Sequence, residues 1–100
     1  MLSGDIYRAL ADPTRRVILD ELQERNGQTL FELCSRLAMK HGLASTRQAI
    51  SQHLDQLKEA GLVTTRREGR YTFHHLDPTP LRDLTSRWTM PRDDHPKEQP

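Results

Sequence analysis

The stretch "STRQAISQHLDQLKEAGLV", Ser45–Val63, decides how the chain is read. Ile50, Leu54 and Leu57 recur at helical spacing and fall on one face. The rest of the helix distributes charge unevenly. Its first two turns carry Arg47, Gln48, Ser51 and Gln52 and no acid, whereas Asp55 and Glu59 come late. With Ile50 set inward and about 100° per residue, Gln48, Gln52, Asp55 and Glu59 point most directly outward, with Ser51 on the flank. Ser45 and Gln48 read as a capping box, so the helix starts at about Thr46, runs to Ala60 and stops at Gly61.

Upstream, Thr29 and Glu32 form a T-x-x-E capping box that opens another helix, with Leu30, Leu33, Leu37 and Cys34 on its apolar face. "KHGLAS", Lys40–Ser45, connects the two, with Gly42 as the stop. Two earlier helices precede them. Leu2, Ile6 and Leu10 mark the first. The second is capped by Asp12, begins at Pro13 and buries Val17, Ile18 and Leu22 before "NGQ", Asn26–Gln28, ends it. After Gly61 the pattern shifts to β-branched and aromatic residues. "LVTTRREGRYTFHHL" reads as a hairpin, Leu62–Arg67 and Arg70–Leu76, turning at Glu68-Gly69. Tyr71 and Phe73 share one face, Thr72 and His74 the other. A last helix carries Leu81, Leu84 and Trp88 and ends at Pro91. The fold class is therefore mainly α with one β-hairpin, a winged helix-turn-helix of order α-α-α-α-β-β-α. It occupies residues 1–90, and the apolar-poor segment 91–100 reads as a disordered tail.

In a helix-turn-helix the second helix enters the major groove with its N-terminal residues toward the bases. That accounts for the late acids, which would repel phosphates if they came earlier. Glutamine can bond adenine bidentately, and serine can donate or accept. Arg47 can reach a phosphate or a guanine edge, and the helix N-terminus offers free N–H groups to a phosphate. The residues expected to meet DNA on this helix are Ser45, Thr46, Arg47, Gln48, Ser51, Gln52 and His53, the last either packing or touching a phosphate. On the hairpin, Arg66, Arg67 and Arg70 flank the turn, opposed by Glu68. From Arg36 to His75 seven basic residues face three acidic ones, although the whole chain carries a net charge of +1. A basic middle in a nearly neutral chain points to an anionic partner, here double-stranded DNA.

"ALADPTRRVILDEL", "TLFELCSRL", "TRQAISQHLDQLKEAGLV" and "RREGRYTFHHLDPTPLR" together resemble the ArsR-type winged-helix transcriptional repressors of bacteria, over residues 5 to 88. The resemblance implies a homodimer built on the first and last helices, around Leu2, Ile6, Leu10, Leu81, Leu84 and Trp88. It also implies an inverted-repeat operator, with the fourth helix reading and the hairpin as wing. Metal-sensing members carry a C-x-C pair in the third helix. Here Arg36 stands where the second thiolate would be, and "LRDLTSRWTM" lacks the histidine ligands that others carry on the last helix. His74 and His75 point to opposite faces of a strand, and His41 and His95 fall in loop or tail, so neither a metal nor a cofactor is expected. Trp88, Tyr7 and the dimer helices could enclose a small apolar effector between protomers, or form plain interface core.

The totals fit this reading. A chain of 100 residues buries a modest fraction of its unfolded surface, so dimerisation is a natural source of stability. A single cysteine, Cys34, excludes an internal disulfide and suits a reducing compartment. There is neither an 18-residue apolar run nor a signal-peptide layout at the N-terminus, so a cytoplasmic protein without a membrane span is expected. Asp93 and Asp94 cannot be held for acid–base work in a loose tail, and no base is fixed beside a nucleophile, so catalysis is not expected. The competing reading is a winged-helix protein-interaction module. Such a docking helix would expose an apolar or aromatic anchor, and the sequence places none on the fourth helix.

Overall fold

The computed structural model describes residues 4–88. Its elements are α1 (Gly4–Ala11), α2 (Pro13–Glu24), α3 (Leu30–His41), α4 (Arg47–Glu59), β1 (Val63–Glu68), β2 (Tyr71–Leu76) and α5 (Thr79–Arg87). Leu2 and the segment 91–100 lie outside the described residues. Among those described, no helix is long and apolar enough to cross a membrane.

Local chemistry sets most boundaries. Asp12 caps α2 by accepting from the Thr14 and Arg15 amides, with Pro13 in the first turn. Thr29 and Glu32 form the reciprocal capping box on α3. Gly42, at φ 63°, closes α3, and the next amide, that of Leu43, donates to the Leu37 carbonyl at 2.9 Å.

Four expectations are corrected. The cap of α4 is Thr46, whose hydroxyl accepts from the Ala49 amide at 3.0 Å, and not Ser45. Gln48 is then free of capping duty. The wing turn is Gly69-Arg70, one residue later than expected, because Glu68 still pairs with Tyr71. Gly69 takes φ 62°, as a tight hairpin turn requires of its first central residue. His41 belongs to α3 rather than to the connector. Trp88 leaves α5 in a non-helical conformation and is 66% exposed.

The core is one cluster to which α1 gives Ile6 and Ala9, α2 Ile18 and Leu22, α3 Leu33 and Leu37, and α4 Ile50, Leu54 and Leu57. Leu62 and Val63 extend it into the base of the wing. Each of the buried leucine, isoleucine and valine side chains stabilises by about 1.5–3 kcal/mol relative to exposure. Val17, expected inside, packs half-buried at the edge.

The wing is tied down through the turn after α2. Gln28, 1% exposed, exchanges backbone hydrogen bonds with His74 at 3.1 and 2.7 Å. The His74 ring Nδ1–H donates to the same Gln28 carbonyl at 2.9 Å. The Asn26 side chain accepts from the Leu76 amide, and Gly27, at φ 76°, passes where a Cβ would meet the His75 ring at 3.0 Å. Burial holds the His74 imidazole below its ordinary 6.5, against the opposing pull of its bond to Gln28. The unfolded chain therefore binds this proton at a higher pH than the folded one. Stability should be full above about pH 6.5 and fall as pH drops below it. Urea midpoints at about pH 7.5 and 5.5 should show the loss, and His74→Asn, which can still donate to Gln28, should reduce it.

Candidate nucleic-acid interface

Helix α4 is anchored by Ile50, Leu54 and Leu57, all at most 2% exposed, so the opposite face is presented to solvent. Ser45, Thr46, Arg47, Gln48 and Gln52 are exposed, while Ser51 and His53 sit half-buried on the flanks. The first turn contains no acid, and Asp55 and Glu59 are exposed further along. The seven residues expected to meet DNA thus run from just before the Thr46 cap to the middle of α4, and the helix start among them has unpaired N–H groups and the positive end of the dipole, which favour a phosphate.

On the wing, Arg66, Arg67 and Arg70 are all exposed. They are not equivalent. Arg66 pairs with Glu68 at 3.3 Å, and Arg67 donates to the Gly69 carbonyl at 3.2 Å. Arg70, in the turn itself, makes no ion pair among the described residues, and neither does Arg47 on α4.

Two of the seven cations of the basic middle have a different use. Glu21, fully buried on α2, accepts from Arg36 Nε, from Gln28 Nε2 at 2.8 Å and from His41 Nε2 at 3.1 Å. Burial pushes its carboxyl up, but these donors and the Arg36 charge outweigh it and hold it below the usual value of 4.5. Lys40 donates to Glu24 at 2.6 Å. Arg36 and Lys40 therefore brace α3 against α2, and the cations open to an outside anion lie on α4 and the wing.

Glu21, Glu24 and His41 also bring potential ligand atoms within 4.8 Å of one another. Their carboxylates are already neutralised by Arg36 and Lys40. Cys34 stands apart from them and is half-buried. Burial raises its thiol above 9.0, with the nearby Arg47 charge pulling the other way, so it stays protonated at neutral pH.

Between the N-terminus of α3, α4 and β2 lies an open cavity of about 750 Å³, walled by Phe31, Tyr71 and Phe73 with Arg47, Ser51 and Arg70 at its margins. Phe31 is 66% and Tyr71 57% exposed. As expected, α4 itself carries no Phe, Tyr or Trp, but α3 and β2 place exposed aromatics beside it. The sequence signal was faint, since Phe31 sits beside the apolar stripe of α3 and not in it.

The residues expected in a dimer contact are divided. Ile6 is 2% exposed and committed to the chain's own core. Leu10, Leu81 and Leu84 pack on that core only in part, and α5 has no fully buried residue. Trp88 lies under the Arg87 guanidinium, 4.9 Å from its ring centroid, and Tyr7 is 43% exposed on α1.

A helix-turn-helix that presents an acid-free helix start, followed by an arginine-tipped hairpin, defines the winged-helix DNA-binding regulators. Comparison with known proteins gives the same class. A helix-turn-helix domain family matches residues 10–66. The HTH-type transcriptional regulator YuzN of Bacillus subtilis is 52% identical over 83 residues, covering 83% of this chain and 90% of that protein. The transcriptional repressor SdpR of the same organism is 30% identical over 80 residues, 80% of this chain and 81% of its own. Among solved structures, an ArsR-like transcriptional regulator from Rhodococcus sp. RHA1 superposes with a TM-score of 0.74 at 31% identity, over 84% of this chain and 71% of that one. The chain belongs to the ArsR family of helix-turn-helix transcriptional regulators and is a DNA-binding regulator. Members of that family regulate transcription.

Proposed function

We propose that the protein is a cytoplasmic homodimeric repressor that binds an inverted-repeat operator. In this reading α4 enters the major groove with Gln48, Ser51 and Gln52 at base edges. Ser45, Thr46 and Arg47 meet the adjoining sugar-phosphate, His53 packs on the half-buried flank of the helix rather than touching a phosphate, and Arg66, Arg67 and Arg70 follow the backbone from the wing. The observation that carries the reading is the exposed, acid-free start of α4, with Arg47 as its first residue. The repressor sense is supported by the likeness to a named transcriptional repressor. The half-covered face of α5, with exposed Trp88 and Tyr7, supports a second copy as what covers it, with or without a small apolar effector between the protomers.

The wing tests this reading through salt. Each phosphate neutralised contributes about 0.9 to the slope of log affinity against log salt. Replacing Arg66, Arg67 and Arg70 together by alanine should make the slope shallower by roughly 2–3 per wing and weaken binding to all sequences alike. An unchanged slope would place the wing away from the DNA backbone.

A further inference from the structure

Arg15 turns its guanidinium away from its own helix, α2, and across the junction of α1 and α4. Its Nε donates to the Ala9 carbonyl at 2.9 Å and Nη2 to the Arg8 carbonyl at 3.0 Å. Those carbonyls belong to the last turn of α1, where no intrahelical donor is available and the helix dipole favours a cation. Arg16 completes this cap by donating to the Leu10 carbonyl at 2.6 Å. The remaining arm of Arg15, Nη1, lies 3.1 Å from His53 Nδ1 on α4.

A guanidinium has donors and no acceptor, so Nδ1 must accept, and the imidazole is neutral with its proton on Nε2. His53 follows Gln52 directly, on the half-buried flank of the reading helix. Arg15 thus joins the end of α1 to the side of α4 at the level of the base-reading residues. The core contacts of Ile50, Leu54 and Leu57 set the depth of α4, whereas this bond opposes its rotation about its own axis.

We infer that Arg15 is a positioning residue for DNA reading, acting through neutral His53, and that protonation of His53 releases α4 and weakens operator binding. The inference rests on the DNA-reading role proposed for α4. A protonated ring has no lone pair for Arg15 and would set two cations against each other. The charged and polar groups around the ring are known from each side. From α2 and its cap come Arg15 and the Asp12 carboxylate, which a charge on His53 would stabilise. From α4 itself Gln52, Asp55, Gln56 and Glu59 share the same cleft, and α1 presents its Arg8 and Ala9 carbonyls.

The test compares native protein with His53→Gln, whose side-chain oxygen can still accept from Arg15 but cannot take up a proton. Affinity for the operator duplex is measured at fixed salt between about pH 8 and pH 5.5, the range in which histidines change charge, with circular dichroism as a check on folding. Native affinity should fall by about tenfold more than that of His53→Gln across this range, the worth of one charge-assisted hydrogen bond. At pH 8 the two should bind within a few-fold of each other. Matching pH profiles, or native affinity that rises on acidification as a direct imidazolium–phosphate contact predicts, would overturn the proposal. A double-mutant cycle of Arg15→Met and His53→Ala, read by thermal unfolding without DNA, separates the two levels. Coupling in the cycle with no DNA binding at any pH refutes the reading role of α4, and the inference with it. Additive effects refute the Arg15–His53 link alone.

Discussion

Replacing Gln48, Ser51 and Gln52 together by alanine should abolish discrimination between operator and scrambled DNA while leaving weak, salt-dependent binding to both. A well-formed contact to a base edge separates right from wrong base by about 1–3 kcal/mol, so the loss of three such contacts should cost at least a hundredfold in specific affinity. The residual binding would come from Arg47, the helix N-terminus and the wing, which read charge and not sequence. The substitutions should not harm the fold. Gln48 and Gln52 are exposed, Ser51 is half-buried on the flank, and alanine is the best helix former. Anisotropy titrations with both duplexes, beside a thermal melt, check the result. Retained discrimination in a folded triple variant would mean that the sequence is read elsewhere on the molecule.

The second large effect concerns stability. Glu21 lies at 0% exposure and holds Arg36, Gln28 and His41 around one carboxylate, linking α2, α3 and the turn that carries the wing. Glu21→Ala leaves Gln28 Nε2 without this acceptor and Arg36 without its closest partner. Breaking a buried ion pair from one side costs about 3–5 kcal/mol. The lower end applies here, because the Arg36 side chain is 23% exposed and can turn to water. For a domain of this size a loss of about 3 kcal/mol lowers the melting temperature by roughly 10–20 °C. Glu24→Ala, which removes an exposed pair with Lys40, should barely move it. Similar melting temperatures for the two variants would show that the Glu21 cluster does not brace the fold. The Glu21 carboxyl is held below 4.5, so its contribution is present above that pH and disappears as pH falls through the folded value. Acid should thus act in two stages, on His74 first and on Glu21 at lower pH.

What could be read from the chain beforehand was whatever depends on near neighbours. Asp12-Pro13, the Thr29–Glu32 box and Gly42 act within a few residues, so α2 and α3 were placed closely. The start of α4 was harder, since Ser45 and Thr46 are both good caps. Thr46 is the cap in the structure, and Ile50 donates to its carbonyl in the first backbone bond of the helix. The outward set Gln48, Ser51 and Gln52 needed only the helical repeat and the inward direction of Ile50.

Partners distant in sequence were invisible. Arg36 looks like a free cation until α2 brings Glu21 beneath it from 15 residues away. Gln28 looks like a turn residue until β2 pairs with it across a separation of 46 residues. The Arg15–His53 link spans 38. In each case a polar residue that seemed to belong to the surface takes up a buried or half-buried partner supplied by the tertiary fold. The same holds for Phe31 and Tyr71, which come together beside α4 only when the wing folds back.

The most direct test of the account is a titration of the native protein into labelled duplex from the region upstream of its own gene, beside a scrambled duplex, at two salt concentrations. The expected result is much tighter binding to the native fragment, with two chains per site and affinity that falls steeply with added salt. A folded protein that binds neither duplex at low salt, or both equally, would contradict sequence reading by α4 on this DNA.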